Sequence, residues 1–353
     1  MYNKRYTIKS SSKTPFIWSS QASYWWSVAN LWVTQYQGLN DMYGEQGFWN
    51  GYGYVYDEAT NSDILKQNVP EMWNREGIYY ALTVLDELLN SDNGYQHVLS
   101  TSVDFSTAQG YFMTPSMNIA MMANGDWLYK EMSKNYPTAK ISMMKTPVIS
   151  DIINHSDCQG TISGDAELSA LIAAIDNGSV SLTGEGYDVS QSAYNKVYEA
   201  RNMYTCGSNI NHVMVSPAYS DSLDIVKQFY NYLASDEGLE IYTRNSGGFT
   251  LGFNSSEEVV AASNSVSTDY VKSTEMIKQK SQVAPWPMYS SRLFSVGGMS
   301  IYPTIELGVT YPELILAYKI GNKSRKSAYE IWNQNYLNAA NKWSSYMQTA
   351  GLS

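Results

Sequence analysis

Gln109-Gly110-Tyr111-Phe112-Met113, followed by Met117-Asn118-Ile119-Ala120-Met121-Met122-Ala123-Asn124-Gly125-Asp126-Trp127, is the stretch on which the fold turns. A short helix is expected from Ser106 to Phe112, and the apolar run within Asn118 to Ala123 reads as a strand. Asn124-Gly125 is a turn dipeptide, because both residue types tolerate the backbone angles that a tight turn requires. Asp126 then stands where a side chain caps a helix, with Trp127 as its first residue.

The same alternation continues on both sides. Thr14 to Ser19 is β-like, and an aromatic cluster, Tyr24-Trp25-Trp26, follows it. Gly44 to Tyr56 is rich in Gly and Tyr and reads as loop. Pro70 opens a helix in which Ile78, Leu82, Leu85 and Leu89 recur at helical spacing, and Asn93-Gly94 ends it. Beyond Trp127, Ile141 to Ile149 is a strand candidate, and Asp165 to Asp176 and Ser190 to Tyr204 read as helices. Val213 to Ser216 is a further strand. Asp221 caps a helix with Leu223, Val226, Tyr230 and Leu233 on one face, and the chain breaks at Gly247-Gly248. From Ala328 onward, Tyr329, Trp332, Tyr336, Ala340, Trp343 and Met347 step by three and four, as in a packed terminal helix. Strands interspersed among helices make the chain α/β with mixed sheets.

Composition narrows the function. The 353 residues suffice for two domains, and 23 Lys plus Arg against 33 Asp plus Glu leave a net charge of −10, which opposes nucleic-acid binding. The longest apolar run, Ala170 to Ile175, is far shorter than the roughly 20 residues of a membrane span. His97, His155 and His212 are scattered without an HExxH pattern, and neither Cys158 nor Cys206 has metal-ligand spacing, so no metal is expected. No phosphate loop or GxSxG elbow is present, and Asp176 to Asp188 lacks the alternating acids of an EF-hand. A glycosidase needs two carboxylates across a cleft, and spacing singles out no such pair. The aromatic residues are dominated by 30 Tyr and 10 Trp, whose rings carry a hydrogen-bonding edge and suit contact with sugars.

The stretch from Gln109 to Trp127 resembles an element of the family 1 extracellular solute-binding proteins of sugar ABC transporters, a helix followed by an aM-x-x-x-G-x-W pattern. A second region is similar to the same family: Val213 to Pro217, then Ala234-Ser235-Asp236-Glu237-Gly238-Leu239-Glu240 and Asn245-Ser246-Gly247-Gly248-Phe249. Ile141-Ser142-Met143-Met144-Lys145-Thr146-Pro147 stands in place of the family's g-x-x-p-x-P strand. The likeness is strongest from residue 105 to 255.

The resemblance implies a periplasmic-binding-protein-like two-lobe fold of type II, with most of the N-terminal part of lobe one absent. On that reading residues 1–210 form lobe two, with a helical insert at about 150–205. Residues 211–279 are a remnant of lobe one, and 280–353 return to lobe two with C-terminal helices. It implies binding without catalysis: a carbohydrate, an oligosaccharide, delivered to ABC transporter permease subunits, with no cofactor. The location implied is extracellular, cell-surface or periplasmic, with membrane association only through a missing N-terminal lipid anchor. Ligand contacts are expected from Gly125, Asp126 and Trp127, from the aromatic wall Trp18, Tyr24 and Trp25, and from Trp286, Tyr289 and Arg292 near Pro285 and Pro287. The extracellular setting implies a Cys158–Cys206 disulfide, and the missing units imply an exposed apolar patch. The alternative is a glycoside hydrolase or an isolated carbohydrate-binding module.

Overall fold

A computed structural model describes residues 13–19, 24–44, 48, 54–57, 62–65, 73–206, 221–251, 255–285, 316 and 325–351. In chain order the elements are β1 (Thr14–Ile17), α1 (Tyr24–Gln37), α2 (Leu39–Tyr43), β2 (Tyr54–Asp57), β3 (Ser62–Leu65), α3 (Glu76–Leu89), α4 (Phe105–Met113) and β4 (Ile119–Met122). Then follow α5 (Trp127–Met132), α6 (Asp165–Asp176), β5 (Thr183–Gly184), β6 (Tyr187–Asp188), α7 (Gln191–Arg201) and β7 (Met203–Cys206). The last are α8 (Leu223–Leu233), α9 (Asp236–Asn245), α10 (Glu257–Val266), α11 (Asp269–Lys280), β8 (Gln282–Pro285) and α12 (Ala328–Ala350). The protein is mixed α/β, mostly helical with small sheets. Strands β1 and β4 pair in parallel with Phe16 opposite Met121, and β7 and β8 pair in parallel with Tyr204 opposite Val283. Strands β2 and β3, and β5 and β6, are antiparallel pairs.

The chain divides into two compact units. Unit 1 comprises Met1–Asn124, Thr146–Gly207 and Gln282–Ser353, and unit 2 comprises Gly125–Lys145 and Ser208–Ser281. The segment Gly125–Lys145 therefore groups with the later stretch, although the sequence reading left it within 1–210. Strands β4 and β7 lead the chain out of unit 1, and β8 leads it back.

Unit 1 is organised around α3, whose Ile78, Ala81, Leu82, Leu85, Leu88 and Leu89 are buried at three and four residue steps against α1 and α12. Helix α1 contributes Trp25, Ala29, Trp32, Val33 and Tyr36 to the same core. Helix α12 begins in a capping box, with Ser327 and Glu330 satisfying each other's backbone N–H groups, and stops at Gly351 in the left-handed region. Unit 2 packs α9 on α10, and Gly248 fits only as glycine: its φ is +103°, and a Cβ there would collide with the Ser267 hydroxyl. The buried Glu275 of α11 accepts from the Thr250 hydroxyl and from Lys278 Nζ at 2.8 Å, which ties the segment after Gly248 to α11.

Several expectations need correction. Helix α3 starts at Glu76, and Pro70 lies outside the described residues. The aromatic cluster at Tyr24 opens the 14-residue helix α1. Ile141 to Ile149 forms no strand: the Met143 N–H goes to the Ser273 hydroxyl at 2.8 Å, so there is no ladder partner. In α12 the buried stripe runs through Ile331, Asn335 and Ala339, while Tyr329 and Ala340 face solvent. The strand expected at Val213 to Ser216 lies outside the described residues.

The expected disulfide is not formed, because Cys158 is a free thiol with no exposed surface. Burial pushes that thiol up to about 11. At pH 8 the thiolate fraction is then small, and iodoacetamide should label Cys158 only after unfolding. Peptide mapping of protein labelled with and without denaturant checks this. Rapid labelling of native Cys158 would contradict the buried position.

Candidate functional site

Gly125, Asp126 and Trp127 open unit 2. Before them, the turn Pro115–Met117 ends at Asn118, which adopts the left-handed conformation that asparagine tolerates, and β4 follows at once. Beyond β4, the Gly125 carbonyl accepts two bonds, from Leu128 N–H at 3.2 Å and from the Tyr270 hydroxyl at 3.0 Å. The indole of Trp127 lies across the Gly125 α-carbon so closely that a Cβ there would clash with the ring carbons. Only glycine leaves room for that placement. Trp127 is 43% exposed, whereas Leu128 and Met132 of the same helix are buried. Asp126 occupies the N-cap position but its side chain makes no capping bond, contrary to the sequence reading, and it faces solvent.

Helix α11 fixes this corner from beneath. Tyr270 is 3% exposed and stacks with Tyr129 at 5.5 Å between ring centroids, and one turn later Ser273 accepts the Met143 N–H. Burial first, and the Asp126 charge second, hold the Tyr270 hydroxyl above its ordinary range, so it remains a protonated donor to Gly125. The result is an exposed indole beside an exposed carboxylate on a buttressed backbone. An aromatic face takes up the C–H surface of a sugar, and a carboxylate accepts from its hydroxyls.

The other expected contacts separate from this corner. Trp18 and Trp25 are 1% and 3% exposed in the core of unit 1, so neither offers a ligand platform. The Trp18 indole N–H donates to Gln96 Oε1 at 2.6 Å, and Trp25 lies edge-on to Phe16 and stacks on Trp32. Tyr24 is the first residue of α1, and its side chain is outside what is described. Trp286, Tyr289 and Arg292 lie outside the described residues.

A concavity of about 200 Å³ belongs to unit 1 and went unseen in the sequence. Trp32, Val84, Pro147, Ile149, Asp151 and Asp165 line it. Burial, and then the Asp165 charge, raise the Asp151 carboxyl above the usual carboxylate range. Among the described residues no group of three or more His, Cys, Asp or Glu side chains is placed to hold a metal ion. No described helix is long and apolar enough to cross a membrane. The chain was compared with models of protein families, with curated proteins and with solved structures, and nothing matches.

Proposed function

We propose that this protein binds carbohydrate for an ABC importer, as a two-lobe solute-binding protein of type II that captures an oligosaccharide and presents it to permease subunits outside the cytoplasm. The observation that carries the reading is Trp127: an indole 43% exposed, seated on a glycine and held by a backbone that Tyr270 anchors. It falls in the stretch whose sequence resembles such proteins. Capture of this kind depends on ligand contacts stronger in one conformation than in another, and a pre-positioned aromatic platform supplies contact area with little ordering cost.

Calorimetric titration with a panel of mono- and oligosaccharides tests the reading. Trp127→Ala should weaken binding by about 1 to 3 kcal/mol, by analogy with aromatic stacking elsewhere, or roughly five- to 150-fold. Its unfolding midpoint should change little, because the ring is half open. A panel without a binder, or unchanged affinity in the variant, overturns the proposal.

Hydrolysis is the second reading, and the Asp151–Asp165 pair favours it. The two carboxyl groups line one concavity, and burial with the Asp165 charge raises Asp151, the kind of environment that suits a general acid in glycoside hydrolysis. Release of new reducing ends, abolished by Asp151→Asn, would select it over capture.

A further inference from the structure

His155 follows the short helical turn Ser150–Asn154 and gathers three consecutive backbone amides onto itself. Its Nδ1 accepts the Asp157 N–H at 3.2 Å, and its carbonyl accepts the Cys158 and Gln159 N–H groups at 2.8 and 3.0 Å. Behind this closed turn Cys158 is wholly buried. The imidazole is 19% exposed and stands edge-on to Tyr36 of α1, at 5.2 Å between ring centroids. Tyr36 is in turn held by its hydroxyl, which donates to Glu76 Oε2 of α3 at 2.9 Å. The charged groups that act on the ring are Lys196 of α7, Asp157 in the turn itself, Glu76 of α3 and Asp41 of α2.

We propose that this turn is an acid-sensitive latch: protonation of His155 releases the Asp157 amide, opens the turn and uncovers Cys158. Nδ1 accepts that N–H through its lone pair, so a proton placed there sets two donors against each other. The Asp157 carboxylate lies 3.4 Å from Nδ1 and is half open to solvent, and the protonated ring gains it as an acceptor by leaving the amide. Burial first, and the Lys196 ammonium second, hold the imidazole below its ordinary 6.5, against the opposing pull of Asp157, Glu76 and Asp41. The sign follows. Between the lowered value of the closed turn and 6.5, the open turn binds more protons, so closure weakens as pH falls through that window. Above the window the ring is neutral in both forms and the latch holds. The latch goes beyond carbohydrate binding and does not depend on it.

Cys158 reports on the latch. Its reaction with dithiodipyridine, followed from about pH 7.5 to about pH 5 and divided by the rate for the urea-unfolded chain at the same pH, reads the opening. Peptide mapping assigns the modified thiol. The expected profile is flat above pH 6.5 and rises by about tenfold per pH unit just below it, as one linked proton requires, with an unchanged circular dichroism spectrum. His155→Asn keeps an acceptor for an N–H two residues on and does not titrate, so it should stay closed throughout. His155→Ala should react fast at both ends of the range. Should a variant fold poorly, the His155 imidazole resonances of the parent supply a second reading, and they should titrate below 6.5. A flat parent profile overturns the proposal, as does an acid step that persists in His155→Asn. An ordinary His155 titration would do the same, and so would loss of the dichroism signal over the same pH range, which would mark global unfolding.

Discussion

Trp32→Ala is expected to destabilise unit 1 by about 3 to 5 kcal/mol, the range for truncating a buried aromatic to alanine. Trp32 is 1% exposed, stacks on Trp25 at 6.3 Å between centroids and donates its indole N–H to the Pro147 carbonyl at 3.1 Å. Truncation removes the ring area, leaves that carbonyl short of a donor and enlarges a cavity that is already about 200 Å³. The walls have little freedom to close in, since α3 is itself pinned on its other side by α12. Urea unfolding should show a lower midpoint with an unchanged slope, and Trp32→Phe should recover most of the loss while still orphaning Pro147. A loss under about 1 kcal/mol for the alanine variant would mean that the site collapses freely.

Helix α3 was legible because one residue type at one period does the packing: Ile78, Leu82, Leu85 and Leu89 mark the face that is buried. Strands β1 and β4 were legible for a similar reason, as short apolar runs beside Asn-Gly or Pro. Helix α1 was not. Its Trp25, Ala29, Trp32 and Tyr36 step by four, three and four, but no acidic residue marks its first turn, and Trp and Tyr draw the reading toward ligand contact. Burial of Trp18 shows why that inference fails. The polar edge that suits a ring to a sugar is met equally well by Gln96 inside the protein.

The candidate site divides in the same way. Gly125 and Trp127 could be read from the turn and its neighbours, because the interaction between ring and α-carbon spans two residues. Tyr270 acts on Gly125 across 145 residues, and Ser273 on Met143 across 130, and pairings of that separation leave no local pattern. The supposed strand at Ile141 to Ile149 fails for a related reason. A strand exists only through a partner, and here the backbone donor of Met143 is taken by a helix side chain.

Lys196→Met is expected to stabilise the protein near neutral pH, because it removes a buried ammonium whose desolvation outweighs the charges around it. Lys196 is 6% exposed, and its ammonium lies beside Gly38 and the Glu199 carboxylate, yet among the described residues it forms no ion pair. Burial lowers its proton affinity below the ordinary 10.5, and the charges of Glu199, Asp157, Cys158 and Asp41 offset this only in part. The sign follows from proton counting. Between the lowered folded value and 10.5 the unfolded chain binds more protons than the folded one, so parent stability rises with pH across that window. Below the window both states carry the proton, and the full penalty of a buried ammonium remains. Methionine keeps the side-chain length and removes the titration, while Glu199 still accepts the Leu39 N–H at 3.2 Å and keeps some solvent contact. Thermal unfolding of both proteins from neutral pH upward should show the variant ahead at neutral pH and the gap closing as pH rises. A variant less stable than the parent at neutral pH would show instead that the Lys196 charge is compensated by the surrounding carboxylates.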